Sequence, residues 1–120
     1  MPILDVEIVG EPGVANREAL AQRIADAAGE VLNSPPQGTW VRIRVLPPED
    51  YAENGGSSIR VQPVFVSVMK RTVPQGELLV SEIRSLTDVV AAACGRPLDN
   101  VHVRYEAPGS GRQAFGGELV

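Results

Sequence analysis

Few groups in this 120-residue sequence are equipped for chemistry, and the most unusual is a main-chain atom, the nitrogen of Pro2. The chain opens Met1-Pro2-Ile3-Leu4-Asp5, and a methionine ahead of a residue as small as proline is normally removed. Its removal would leave Pro2 as a free secondary amine. An α-amino group titrates near about 7.7–8.0. Burial in an apolar pocket and nearby cations both disfavour the charged form and push that value down. A neutral amine near neutral pH can take a proton from a carbon beside a carbonyl and return it elsewhere on the molecule. That is general acid–base catalysis with one group in both roles. The pyrrolidine ring also fixes the direction of the lone pair, because φ is locked. The structural alternative is that Pro2 merely opens an edge strand, where proline is tolerated. If Met1 stays, Pro2 is an amide and cannot act as a base. Pro63 has no such option, since its nitrogen lies in mid-chain.

The remaining chemistry is narrowed by what is scarce. Cys94 is the single cysteine and His102 the single histidine, which leaves no disulfide framework, no cysteine metal site and no plausible zinc site. No metal and no cofactor is expected. A formal net charge of -4 argues against a general nucleic-acid binder, which needs a basic face to displace counterions. No apolar run approaches the roughly 20 residues of a membrane-spanning helix. The start has neither the basic segment nor the apolar core of a signal peptide. A cytoplasmic protein with no membrane or nucleic-acid partner is the expectation. At 12.8 kDa there is room for one core, and with aromatics at 4% that core must be built from Val, Ile, Leu and Ala.

The elements that would position Pro2 come twice. Pro2–Val9 alternates in the strand manner, Leu4, Val6 and Ile8 against Asp5 and Glu7, and Pro63–Lys70 is a second such run. Leu20, Ile24, Ala27 and Val31 mark one apolar helix face; Leu79, Ile83, Leu86 and Val90 repeat that spacing 59 residues later. Asn16 is the expected N-cap of the first helix and Gly76 opens the second. Asn33-Ser-Pro-Pro36 closes the first and Gly95-Arg-Pro97 the second. Trp40–Leu46 then answers to Asn100–Glu106, and each is followed by a loop ending in Gly-Gly, at Gly55-Gly56 and Gly116-Gly117. The reading is an α+β domain over residues 1–120 made of two βαβ repeats, about 2–61 and 62–120. They would form a four-stranded mixed sheet with two helices on one face, each pair of strands parallel across its crossover. Val64, Phe65, Val66 and Val68 are apolar at both parities, so both sheet faces are expected to be buried, the second by oligomerisation.

The cleavable Met before Pro-Ile, the duplicated unit, Val41-Arg42-Ile43, Tyr51-Ala-Glu-Asn-Gly-Gly56 and Phe115-Gly-Gly-Glu-Leu119 together resemble the tautomerase superfamily. The likeness covers residues 2 to 119 or so and is to its duplicated members: fused 4-oxalocrotonate tautomerases and macrophage migration inhibitory factor-like proteins. It implies a homotrimer in which Pro2 is the catalytic base. The activity implied is enol–keto proton transfer on a small 2-oxo or 2-hydroxy carboxylate.

The resemblance also implies cations for the carboxylate and the developing dienolate. Lys70 and Arg71 match the substrate arginines of the family's dehalogenases and decarboxylases. Arg42 matches the arginine of the tautomerase Val-Arg-Val motif, with Arg44 on the same strand face. His102 and Arg104 match pocket residues that a neighbouring subunit contributes. Tyr51 and Phe115 are candidates for an apolar wall, and Trp40 for an interface. For the cations the alternative is a solvated strand end or an ion pair with Asp5, Glu7 or Glu106. The sequence departs from the family in three places. Gly10-Glu-Pro-Gly13 lacks the arginine after the first strand, and Gly38 and Ala114 stand where decarboxylases and cis-dehalogenases carry a water-activating acid. The alternatives are a malonate semialdehyde decarboxylase-like or 3-chloroacrylic acid dehalogenase-like enzyme using Glu53 or Asp50, or a non-enzymatic member with an idle pocket.

Overall fold

The structure is a computed structural model that describes residues 1–56 and 62–120. The expected junction between repeats, at 61 and 62, thus has its first residue outside the described part. Strands β1 (Ile3–Val9), β2 (Trp40–Leu46), β3 (Val64–Met69) and β4 (Val101–Tyr105) form one sheet in the order β2-β1-β3-β4. The first two are parallel, the last two are parallel, and β1 meets β3 antiparallel. Helices α2 (Leu20–Val31) and α3 (Glu77–Cys94) are the two crossovers, preceded by a short α1 (Val14–Arg17). Strands β5 (Ala114–Phe115) and β6 (Glu118–Leu119) make a small hairpin near the end of the chain. The turn between them is Gly116-Gly117, both at positive φ, which two side-chain-bearing residues would adopt only with strain. The α+β architecture of two βαβ units is therefore as the sequence implies.

Strand parity decides where the core sits. Leu4, Val6 and Ile8 of β1 and Val64, Val66 and Val68 of β3 point to one face and are fully buried. Leu20, Ile24 and Ala28 of α2 and Leu86, Val90 and Cys94 of α3 close over them. Ala28, rather than the expected Ala27, is the fully buried alanine of α2. The outer strands add Val41, Ile43, Val103 and Tyr105, each half-buried. Burial also raises the Cys94 thiol above its ordinary range, as befits a small apolar filler.

Two expectations are corrected. Asn16 does not cap the first long helix: α1 ends at Arg17, and Ala19 in the left-handed region stands at the start of α2 with no side-chain cap. The side chain of Asn16 instead fills the space over Gly95, where a Cβ would fall 2.3 Å from Asn16 Nδ2. Gly95 itself ends α3 with φ 67°, as its place after the helix required. Secondly, β1 is a central strand, so Pro2 does not open an edge. Its place at the first position, ahead of the ladder, is what makes a residue without an N–H tolerable there.

The second sheet face, expected to be covered by oligomerisation, is uncovered within one chain. Register sets Arg42, Asp5, Ser67 and Arg104 in one row, and Arg44, Glu7, Phe65 and His102 in the next. In these rows Phe65 is the single large apolar side chain. Among the described residues no helix is long and apolar enough to cross a membrane.

Candidate active site

Pro2 stands at the mouth of the sheet, with one of its neighbours on each side. Its carbonyl accepts a hydrogen bond from the Trp40 N–H at 3.0 Å, fixing the start of β1 against β2. On the other side Ile3 faces Met69, so the next residues outward, Pro2 and Lys70, are brought to facing positions. The segment after β4 continues beside β3: Gly109 N–H donates to the Lys70 carbonyl at 2.9 Å, and Ser110 N–H to that of Arg71 at 3.1 Å. It then carries the β5–β6 hairpin across to β2, where Phe115 meets Trp40 edge-to-face with centroids 5.2 Å apart. Trp40 Nε1 donates to the Gln37 carbonyl at 2.9 Å, which locks the indole. The arrangement is an aromatic wall and two cations around the end of β1. Met1 is 47% exposed, so its loss would open no hole in the core.

The two cations differ. The Lys70 side chain is only 16% exposed and its Nζ lies 2.9 Å from Glu82 Oε1 on α3, itself 15% exposed. The Tyr105 hydroxyl donates to the second oxygen of Glu82 at 2.5 Å. Burial first, and then this bond to a carboxylate, push the Tyr105 phenol far above its ordinary value, so it stays protonated. Arg71 is exposed at the same end of the sheet.

The other sequence candidates lie elsewhere within the chain. Arg42 is on the uncovered face, forked onto Asp5 with Nε–Oδ1 2.7 Å and Nη2–Oδ2 2.9 Å. That bond, and then the carboxylate charge, raise the pKa of the guanidinium further. Arg104 is on the same face, 3.3 Å from Ser67 Oγ and 3.6 Å from Glu106. His102 packs against Phe65 at 5.6 Å, and Tyr51 packs on the other side of Phe65 at 5.9 Å. The Tyr51 hydroxyl donates to Glu53 Oε2 at 2.6 Å, and that bond raises its pKa. Phe65 pairs with Glu7, five residues along β1 from Pro2, a separation of about 17 Å at the strand rise. Tyr51 and His102 therefore belong to a distinct region, a shallow basin of about 830 Å³ on the uncovered face that Arg42, Arg44 and Arg104 also line. Within one chain Lys70 and Arg71 follow β3 at the end of the sheet where Pro2 precedes β1, Arg42 and Arg104 lie in the row of Asp5, three residues along from Pro2, and His102 and Tyr51 lie farther off beside Phe65.

Sequence reasoning missed Glu82 and the role of Tyr105. The signal was present: Lys70 continues the buried parity of Val64, Val66 and Val68, and a lysine placed inward requires a partner. Among the described residues no group of His, Cys, Asp and Glu is arranged to hold a metal ion.

The architecture that the sequence resemblance implied recurs in solved structures. The chain is similar to the symmetric trimer of a wild-type fused 4-OT, at 20% identity over 98% of this chain and 94% of that one, with a TM-score of 0.78. A malonate semialdehyde decarboxylase, described with decarboxylase and hydratase activities, is 17% identical over 95% of this chain and 90% of its own, with a TM-score of 0.70. Macrophage migration inhibitory factor of Toxoplasma gondii is 18% identical over 95% and 96%, with a TM-score of 0.68. No protein-family model matches the sequence, and no curated protein does. At these identities the likeness is one of fold.

Proposed function

We propose that the protein is an isomerase that moves a proton between the enol and keto forms of a small 2-oxo or 2-hydroxy acid, with Pro2 as its acid and base. The observation that carries this reading is the position of Pro2. It stands ahead of a central strand, at the end of the sheet where Lys70 and Arg71 follow β3 and Trp40 of the adjoining strand meets Phe115, and it follows an exposed methionine. Loss of Met1 turns that nitrogen into a secondary amine at an apolar, cationic sheet end, where the neutral form is favoured. Arg71, exposed at this end of the sheet, is the carboxylate ligand supplied by the same chain.

The working form is a homotrimer, a reading supported by the trimeric fused 4-OT of similar fold and by a sheet face that one chain leaves uncovered. In that assembly Arg42, Arg104, His102 and Tyr51 act from a neighbouring copy toward its carboxylate substrate. No cofactor enters the reaction, which is a proton transfer alone. The protein works in the cytoplasm. Water-activating chemistry has weaker support: the carboxylate of Glu53 is engaged by the Tyr51 hydroxyl.

The test is the rate at which protein beginning at Pro2 ketonises phenylenolpyruvate or 2-hydroxymuconate, followed by ultraviolet absorbance beside Pro2→Ala. A loss of about 10²–10⁴-fold in the variant is expected for a general base. Equal slow rates from both would move a decarboxylase or a non-enzymatic role ahead.

A further inference from the structure

A lysine that ends a buried apolar row needs its charge matched, and this one is matched twice over. Val64, Val66 and Val68 are buried on the helix-covered face of β3, Lys70 continues their parity just past the strand, and extending the Ile3–Met69 pairing by one residue sets Lys70 opposite Pro2. Its ammonium contacts Glu82 Oε1 at 2.9 Å, while the Tyr105 hydroxyl occupies Oε2 at 2.5 Å. Three elements, β3, α3 and β4, thus meet in one ion pair with a neutral hydroxyl behind it. With both its oxygens engaged, Glu82 is poorly disposed to act as a base. Its effect on Pro2 is electrostatic.

The other charged groups that could face Pro2 are Arg71, Glu118 opposite Phe115 in the hairpin, and, in a trimer, Arg42, Arg104 and His102 of a neighbouring copy; the Lys70 and Glu82 variants leave all of them unchanged. Arg71 is exposed to solvent, and Asp5 and Glu106 are paired with Arg42 and Arg104. From β2 the neighbours of Pro2 are Thr39 and Trp40, which do not titrate. Glu30 of α2 is exposed.

Building on the assignment of Pro2 as the base, we propose that Lys70, held by Glu82 and Tyr105, is a positioning residue: the compensated pair sets the proton affinity of the Pro2 amine. A cation at that distance disfavours the ammonium form of Pro2 and an anion favours it. Removing either charge alone leaves the other exposed to the amine. The two single variants must then shift it in opposite directions, which loosened packing would not do. Neighbouring strands lie about 5 Å apart, and a unit charge at roughly 7 Å in a medium of effective dielectric about 20 corresponds to a shift of roughly one to two pH units.

The experiment uses full-length protein liberated with Pro2 as its first residue by cleavage of an amino-terminal fusion. The Pro2 nitrogen is titrated by NMR in protein labelled with ¹⁵N-proline, a readout that does not depend on turnover. Lys70→Met is expected to raise the titration midpoint by about one unit, and Glu82→Gln to lower it by a similar amount. The double variant should return it close to the starting value. Tyr105→Phe, which keeps both charges, should move it less than either. Glu82→Gln preserves shape and the Tyr105 contact, so its sign alone decides the matter if Lys70→Met does not fold. Shifts of the same sign, or none, would overturn the proposal. Activity retained in Pro2→Ala would instead refute the assignment of Pro2 as base, and leave the electrostatic result standing on its own.

Discussion

Phe115 is the residue on which the terminal hairpin depends, and Phe115→Ala should release it. The hairpin has two strands of two residues each, and an isolated pair of strands is marginal in water. Its docking must therefore come from side chains, chiefly the edge-to-face contact of Phe115 with Trp40 at 5.2 Å. Such aromatic pairs contribute about 0.5–1.5 kcal/mol beyond area burial. Phe115 is half-buried, so its lost burial adds roughly 1 kcal/mol, half of what a fully buried phenylalanine supplies. The sum is about 2 kcal/mol, or roughly a 30-fold change in a local opening equilibrium. The reporters are the Gly111 N–H, which donates to the Val120 carbonyl at 2.7 Å, and the Val120 N–H, which donates to that of Gln113 at 2.9 Å. Amide hydrogen exchange should accelerate about 30-fold at both. Core amides such as Val66 should change far less. A change below about threefold at Gly111 and Val120 would show that Phe115 does not hold the hairpin, and the aromatic wall beside Pro2 would lose its basis.

Ile24 is fully buried at the centre of α2, and Ile24→Ala should destabilise the fold by about 2–5 kcal/mol through lost transfer energy and a residual cavity. Urea unfolding followed by the fluorescence of Trp40, the single tryptophan, measures it; a loss under 1 kcal/mol would mean that α2 is not seated on the sheet. Tyr105 is held protonated by burial and Glu82, so its pKa is raised from the ordinary 10.0. Folded Tyr51→Phe protein should accordingly show little tyrosinate absorbance near pH 10. The sign for stability follows: above pH 10 the unfolded chain gives up this proton and the folded one keeps it. The contribution of Tyr105 is therefore complete below pH 10 and is lost as pH rises through the raised value. An ordinary titration in the folded protein would contradict the Tyr105–Glu82 bond.

The architecture was legible because duplication gives each element a second reading. The apolar spacing of Leu20 and Ile24 recurs at Leu79 and Ile83, and Gly-Gly follows both second strands. The cap at Asn16 was misread for a tertiary reason. Its side chain is drawn to the space over Gly95, on a helix almost eighty residues away, leaving a left-handed Ala19 to begin α2. Ion pairs of the candidate cations with Asp5 or Glu106 were an alternative the sequence offered, and register fixes which partners meet: Arg42 with Asp5 and Arg104 with Glu106. Among the candidate site residues, Lys70 and Arg71 come to the same sheet end as Pro2 because β1 pairs antiparallel with β3, a pairing that alternation alone does not reveal. The Glu82–Tyr105 partnership needed α3 to cross over β3 and β4, and nothing local in sequence encodes that distance.

The central claim is that a free Pro2 amine performs the proton transfer, and Met1 provides a test that alters no other residue. Two preparations of the same chain, one beginning at Pro2 and one retaining Met1, each verified by intact mass, should be compared for ketonisation of phenylenolpyruvate. The account predicts that the form beginning at Pro2 is faster by about 10²–10⁴-fold, the contribution of a positioned general base. Equal rates from both forms would contradict it, because an amide nitrogen cannot accept the proton.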